Sequence, residues 1–263
     1  MTVDSVNRTL YIPLYGKAMV SRQGILLRDP KAEAIWDQEG FVLKGKAASK
    51  WLAYYMAMRA AVMDQWTAAQ LEEHPDAVVL HIGCGLDSRC DRVPRKDCHW
   101  YDIDFPEVIR ERKKYYPETE NYHMLPGDMR TGDWKRMIPA GKRMIVVMEG
   151  VSMYFRPEEL RQLLKALKAH AGRLQLLMDC YSVLAAKASK YKNPINEVGV
   201  TQVYGMDDPK ALAVETGLCY VTEHSLTPVR LIGQLAAGER IVFSNLYAGR
   251  LARSLYRLYE FSA

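Results

Sequence analysis

The chain has 263 residues, 49% of them hydrophobic and 25% charged, proportions of a globular protein long enough for one sizeable α/β domain with additions. Its 36 basic against 31 acidic residues leave a net charge of +5, too small an excess to mark a nucleic-acid or anionic-membrane surface. No run approaches the ~20 apolar residues of a membrane span, and the first residues lack the basic-then-apolar pattern of an export signal, so a cytoplasmic protein is expected.

Residues 1–45 are interrupted by Pro13, Gly16, Gly24, Pro30, Gly40 and Gly45, which predicts short helices and loops forming a cap or lid rather than an independent domain. From Lys46 to about Glu73 the chain lacks Pro and Gly, and Trp51, Tyr55, Met58, Val62 and Ala69 recur at helical spacing, as in a long amphipathic helix. Strands are predicted at about 77–82, 99–103, 121–125, 143–148 and 173–179, with helices starting at 87 and spanning 106–115 and 157–171. The last of these carries Pro157 in its first turn, Glu158 and Glu159 at its positive end, and Leu160, Leu163, Leu164 and Leu167 on one stripe. This alternation is the rhythm of a parallel sheet with helices on both faces.

The basic runs Arg110–Lys114 and Lys165–His170 fall on helices whose other faces are apolar, and they are expected to face solvent. The irregular, polar stretch 181–207 reads as a lid insertion above the strand ends. It is followed by a helix at about 208–216 and strands near 218–226 and 239–247. Their link, 227–238, is too brief for a crossover helix, so an antiparallel pair is expected. The main domain then spans 46–263, with 1–45 as its cap. Five cysteines (Cys84, Cys90, Cys98, Cys180, Cys219) form no Cys-x-x-Cys pair and six histidines are scattered, so reduced thiols and no metal site are expected.

The most informative segment is VVLHIGCGLDSRC (Val78–Cys90), followed by HWYDIDFPEVI (His99–Ile109). A buried strand runs into Gly83, Cys84 and Gly85, and glycine there can take positive φ and leaves no Cβ where a ligand passes the backbone. Asp102 or Asp104, at the end of the next strand, suits ribose hydroxyls, as carboxylates do in doubly wound sheets. A dinucleotide site would want a third glycine where Ser88 stands, and Asp87 adds negative charge, which argues against a pyrophosphate. His81 reads as a strand-end histidine with a local hydrogen bond.

Further on come PGDMR (Pro126–Arg130), MIVVMEGVSMYFRPEELRQLL (Met144–Leu164) and YGMDDPKALAVETGL (Tyr204–Leu218). Together with GLDSR and YDIDFPEV, they resemble the leucine carboxyl methyltransferase family, including its bacterial polyketide O-methyltransferase branch, over about residues 46–220. The corresponding family segments read GxGxDTR, xExDxPEV, GDLR and EGVxMYL. The resemblance implies a class I S-adenosylmethionine-dependent methyltransferase. Its fold would be α/β: a Rossmann-like, seven-stranded, mostly parallel sheet with helices on both faces, the last strand antiparallel, and a helical N-terminal cap.

The same resemblance implies roles for individual residues. Gly83, Cys84 and Gly85 would shape the turn around the methionine portion of the cofactor, and Arg59 would grip its carboxylate. Asp104 would hold the ribose, with Asp102 as second candidate. Asp128 and Met129 would meet the adenine, and Glu149 would bind the ammonium group or balance the sulfonium charge. Tyr154 would line the acceptor pocket. Transfer from a sulfonium is an in-line displacement governed by alignment and exclusion of water, so no catalytic side chain is assigned. A carboxylate acceptor arrives ionised whereas a phenol needs a base, and no His or Lys base stands in the motifs. The expected partner is therefore a small-molecule carboxylic acid or phenol, with no nucleic acid and no membrane. A nicotinamide-dependent oxidoreductase and a cofactor-binding protein without catalysis are the alternatives.

Overall fold

The computed structural model describes residues 3–40, 42–43, 45–95, 98–189 and 202–263. Seven strands form one sheet: β1 (Val78–Ile82), β2 (Trp100–Asp104), β3 (Tyr122–Pro126), β4 (Arg143–Met148), β5 (Arg173–Tyr181), β6 (Cys219–His224) and β7 (Tyr256–Ser262). Their order is β3-β2-β1-β4-β5-β7-β6; β1 to β5 run parallel, and β7 lies antiparallel between β5 and β6. The helices are α1 (Val3–Arg22), α2 (Pro30–Glu39), α3 (Lys50–Glu73), α4 (Arg89–Arg92), α5 (Pro106–Arg112), α6 (Pro157–His170), α7 (Val183–Ala188), α8 (Pro209–Thr216), α9 (Val229–Ile232), α10 (Ala237–Leu246) and α11 (Arg250–Leu255). Among the described residues, no helix is long and apolar enough to cross a membrane.

The central strands are apolar without interruption because both sheet faces are covered. Alternate residues of each strand separate into two cores. Val79, Trp100, Ile145, Val147 and Leu177 pack with α1, α2 and α3. Leu80, Tyr101, Val146 and Leu176 pack with the leucine stripe of α6 and with Leu212 and Ala213 of α8.

The N-terminal segment departs from the expected short helices. α1 runs for 20 residues straight through Pro13. A proline inside a helix removes one backbone bond and is normally costly, but α1 is held from Tyr11 onward: Tyr11, Leu14, Ala18 and Val20 are buried in the same core as α3. Gly16 does not break the helix. A Cβ there would lie 3.2 Å from Ala53 Cα, so the glycine lets α1 and α3 cross closely. Cover by α1 on one side and the sheet on the other also explains why α3 is not a simple amphipathic helix. Tyr54, Ala57, Arg59, Ala60, Met63 and Trp66 are buried around much of its circumference, and Ala69 of the expected stripe is exposed.

Two further expectations are corrected. Residues 239–247 form most of α10 rather than a strand, and the antiparallel partner of β6 is β7, reached through α9, α10 and α11. The aromatic spacing decides this: Phe243 and Tyr247, one helical turn apart, both turn toward α3, where Tyr247 stacks on Trp51 and Phe243 meets Tyr54 edge-on. In the run Arg110–Lys114, Arg112 is fully buried instead of solvated, because β2 and β3 present it with Asp102 and Tyr122. The proposed insertion 181–207 falls partly outside the described residues, which omit 190–201. Its described end is tied down, with Tyr204 N donating to Met153 O and Met206 N to Tyr181 O, each at 2.8 Å. None of the five cysteines is in a disulfide; four are buried and Cys219 is exposed.

Leu164 is wholly buried between α6 and the sheet. Leu164→Ala is expected to lower the unfolding free energy by about 2–5 kcal/mol, measured as a drop in the urea midpoint with little change in slope.

Candidate active site

Strands β1 to β4 are parallel, so their carboxyl ends share one edge of the sheet, the usual place for a ligand in such folds. A cavity of about 560 Å³ lies there. Gly83, which leads out of β1, has φ of +70°, and a Cβ on it would sit 2.7 Å from Val151 Cγ2, so no other residue fits. Gly83 N and Cys84 N both donate to Ile103 O, at 2.8 and 3.3 Å, which ties the turn to β2. Gly83, Cys84 and Gly85 all line the cavity.

Asp104 closes the neighbouring strand and faces the same space. Its Oδ2 accepts from Gly85 N at 2.9 Å and its Oδ1 from Phe105 N at 2.8 Å, so each oxygen keeps a free lone pair. Burial pushes its pKa up to about 6, against the opposing pull of those two amides. Asp128 and Met129, after β3, also line the cavity. Asp128 is pinned by Arg130, whose Nε lies 2.9 Å from both of its oxygens and holds its pKa down, while Met129 is buried against the α6 core.

Past the end of β4, Glu149 is buried and shared by two arginines. Arg59 of α3 donates to its Oε1 from Nε at 3.2 Å and from Nη2 at 2.9 Å, and Arg89 of α4 pairs with its Oε2. Burial alone would raise the Glu149 pKa; Arg59, Lys17 and Arg89 outweigh it and lower it to about 2. Arg59 and Glu149 line the cavity, as does Tyr154 in the 3₁₀ turn that follows.

Asp102 is not brought to this cavity. It sits two residues before Asp104 on the same side of β2, but deeper in the sheet and fully buried. Arg112, Tyr122, Trp100 and His81 occupy its oxygens, so it has nothing left for a ribose. His81 makes the expected local bonds, at 3.2 Å to Asp102 through Nδ1 and 3.0 Å to Arg89 through Nε2, and burial lowers its pKa.

Two cavity residues, Lys17 and Tyr256, and one acid buried behind them, Asp179, escaped the sequence reading. Lys17 of α1 is buried beside Asp87 at 2.6 Å, and a lone lysine in a helical stretch gives no sign of that. Asp179 of β5 is fully buried, accepts from Gly150 N at 2.8 Å and pairs with Arg59 at 3.2 Å. An acid inside the apolar run LLMDCY was the signal for it. Tyr256 lines the cavity, accepts from Arg59 Nη1 at 2.6 Å and donates to Asp179.

A profile of the family described as leucine carboxyl methyltransferase matches residues 5–168, more than half of the chain. The chain belongs to that family. Tetracenomycin polyketide synthesis O-methyltransferase TcmP of Streptomyces glaucescens is 28% identical over 99% of this chain and 97% of its own length. The S-adenosyl-L-methionine-dependent methyltransferase dpfgK of Gibberella zeae is 26% identical over 66% of this chain and 64% of its own length. Among solved structures, magnesium protoporphyrin IX methyltransferase of Synechocystis with bound SAH is similar with TM-score 0.52 at 12% identity, covering 88% of this chain and 92% of that one. N-methyltransferase NodS of Bradyrhizobium japonicum has TM-score 0.50 at 14% identity over 79% of this chain and 87% of its own. These two show the fold.

This family member is a methyltransferase that uses S-adenosylmethionine. The residues present fit that group: a turn with no room for a Cβ, a carboxylate with free lone pairs at the end of β2, and buried charges of both signs beyond β4.

Because the folded pKa of Glu149 lies below the usual 4.5, its stabilising contribution is full above 4.5 and is lost as pH falls through about 2. Glu149→Gln is expected to cost about 3–5 kcal/mol near neutral pH, with the gap to the unmodified protein closing in acid, as read by urea unfolding at both pH values.

Proposed function

We propose that the protein transfers the methyl group of S-adenosylmethionine to an oxygen of a small-molecule carboxylic acid or phenol. The observation that carries this is the layout of the cavity at the ends of β1 to β4, which Asp104 lines after β2, Arg59 and Glu149 beyond β4, and the rings of Tyr154, Tyr181 and Tyr256. The O-methyltransferase name of the relative aligned over nearly the whole chain supports oxygen as the acceptor atom.

In this reading Asp104 accepts both ribose hydroxyls through its free lone pairs. Asp128 takes the amino group of the adenine, with the Met129 thioether against the ring. The Gly83–Gly85 turn runs along the methionine portion. Arg59 and the buried Lys17 face its carboxylate, and Glu149 faces its ammonium group. The cofactor supplies an electrophilic methyl on a positively charged sulfur. What the chain supplies is alignment and a dry enclosure, and a carboxylate acceptor needs no proton removed before attack. Tyr154 walls the acceptor side. Asp102 has no part in it.

The test is calorimetric titration with S-adenosylmethionine and, separately, NAD, followed by a panel of aromatic and aliphatic acids and phenols read as S-adenosylhomocysteine formed. Binding of the first alone, with turnover on an oxygen acceptor, is expected; NAD binding, or methylation confined to nitrogen, would overturn the reading. Arg59→Lys is expected to weaken cofactor affinity by roughly tenfold, since an ammonium cannot copy the two-pronged grip.

Asp104 gives a pH signature. Its free-state pKa is raised to about 6, and ribose hydroxyls favour the ionised form, so binding releases a proton below that pH. Affinity should therefore rise as pH increases through about 6 and level off above it. Asp104→Asn should bind more weakly and lose this dependence.

A further inference from the structure

Resting on the cofactor assignment above, we propose that Arg112 and Tyr116 are positioning residues that clamp the Gly85–Leu86 turn in the shape that receives the cofactor's amino-acid tail. Neither lines the cavity. Arg112, at the end of α5, is fully buried, and its Nη1 donates to Gly85 O at 3.0 Å. The hydroxyl of Tyr116 donates to the next carbonyl, Leu86 O, at 3.0 Å. The Arg112 guanidinium lies over the Tyr116 ring, 4.0 Å from its centroid, so the two donors brace each other. Two successive carbonyls of the turn are thus held from outside the cavity, while Gly85 N is held from within by Asp104 at 2.9 Å.

The turn needs such holding. Gly83 and Gly85 both stand at positive φ, and glycine loses more backbone freedom on ordering than any other residue. A turn left to itself would have to be ordered at the moment of binding, at a cost to affinity. Arginine suits the task because its planar fork serves several acceptors at once: Nε donates to Tyr122 Oη at 3.1 Å, Nη2 pairs with Asp102, and Nη1 remains for Gly85. Asp102 pairs with it, so its charge is balanced within the fold. This also gives Asp102 a role: it anchors the clamp instead of touching the ribose.

The experiment compares S-adenosylhomocysteine with 5′-methylthioadenosine, which has the same adenosine thioether but no amino-acid tail. Calorimetric affinities are measured for the unmodified protein, Arg112→Lys and Tyr116→Phe, with thermal unfolding to confirm folding and hydrogen exchange over residues 83–88. Arg112→Lys is expected to bind S-adenosylhomocysteine about tenfold more weakly, and Tyr116→Phe about threefold. Methylthioadenosine should be nearly unaffected, and exchange should be faster in the turn. General loosening of the fold would weaken both ligands alike, and that outcome overturns the proposal, as does unchanged affinity for S-adenosylhomocysteine in Arg112→Lys. Should the lysine variant not fold, Tyr116→Phe decides by the same criteria. Failure of the unmodified protein to bind S-adenosylhomocysteine would overturn the cofactor assignment itself, and this inference with it.

Discussion

Glu149 carries its charge almost wholly buried, just past the end of the central strand β4, and it does so because Arg59 and Arg89 both hold it, with Lys17 adding to their pull. An isolated carboxylate there would take up a proton. With two guanidinium groups in contact, the ionised form prevails, as the pKa lowered to about 2 records. Each arginine in turn needs more than one acid: Arg59 also meets Asp179, and Arg89 also meets Asp64 at 2.8 Å. The bonds continue outward. Asp64 pairs with Arg92, Arg92 with Asp29 and Asp87, and Asp87 with Lys17 of α1.

This chain of charges joins elements far apart in sequence, from α1 and the start of α2 to β5. Apolar burial explains why these elements pack, but it is non-directional and tolerates small shifts. Buried ion pairs are intolerant, because a displaced partner leaves a naked charge. The network therefore sets where α1 and α3 stand relative to the strand ends, and that placement puts Lys17 and Arg59 at the cavity. The floor of the cavity and the N-terminal helices form one electrostatic unit, so those helices are part of the cavity's construction.

Much of this was legible in the sequence, and the misses have physical causes. The strands β1 to β5 announced themselves as apolar runs, and Gly83, Gly85, Asp104, Asp128 and Glu149 follow them at positions where a parallel sheet presents its residues to a ligand. Local pattern failed where a distant element supplied the deciding partner. Arg112 sits in a basic run that looks solvated until β2 and β3 close over it. Residues 239–247 are rich in strand-forming side chains, yet two aromatic rings one helical turn apart find Trp51 and Tyr54 on α3, and packing overrides propensity. Pro13 and Gly16 look like breakers until the close crossing with α3 is known.

Asp102 and Asp104 show how far such partners decide a residue's use. They are the same residue type, two positions apart on one strand and on one side of it, so neither composition nor periodicity separates them. The separation comes from the donors each one meets. Asp102 faces the guanidinium of Arg112, the hydroxyl of Tyr122, the indole of Trp100 and the imidazole of His81, and the positive charge of Arg112 holds it ionised despite complete burial. Asp104 faces two backbone amides and open space, and burial outweighs those amides and the weaker pull of Arg112, so its pKa rises to about 6. A carboxylate with every lone pair answered by its own fold is a structural strut. One whose donors stop at the cavity wall keeps the capacity to bind, and at the edge of a parallel sheet that capacity points into the cavity where such folds usually hold a ligand.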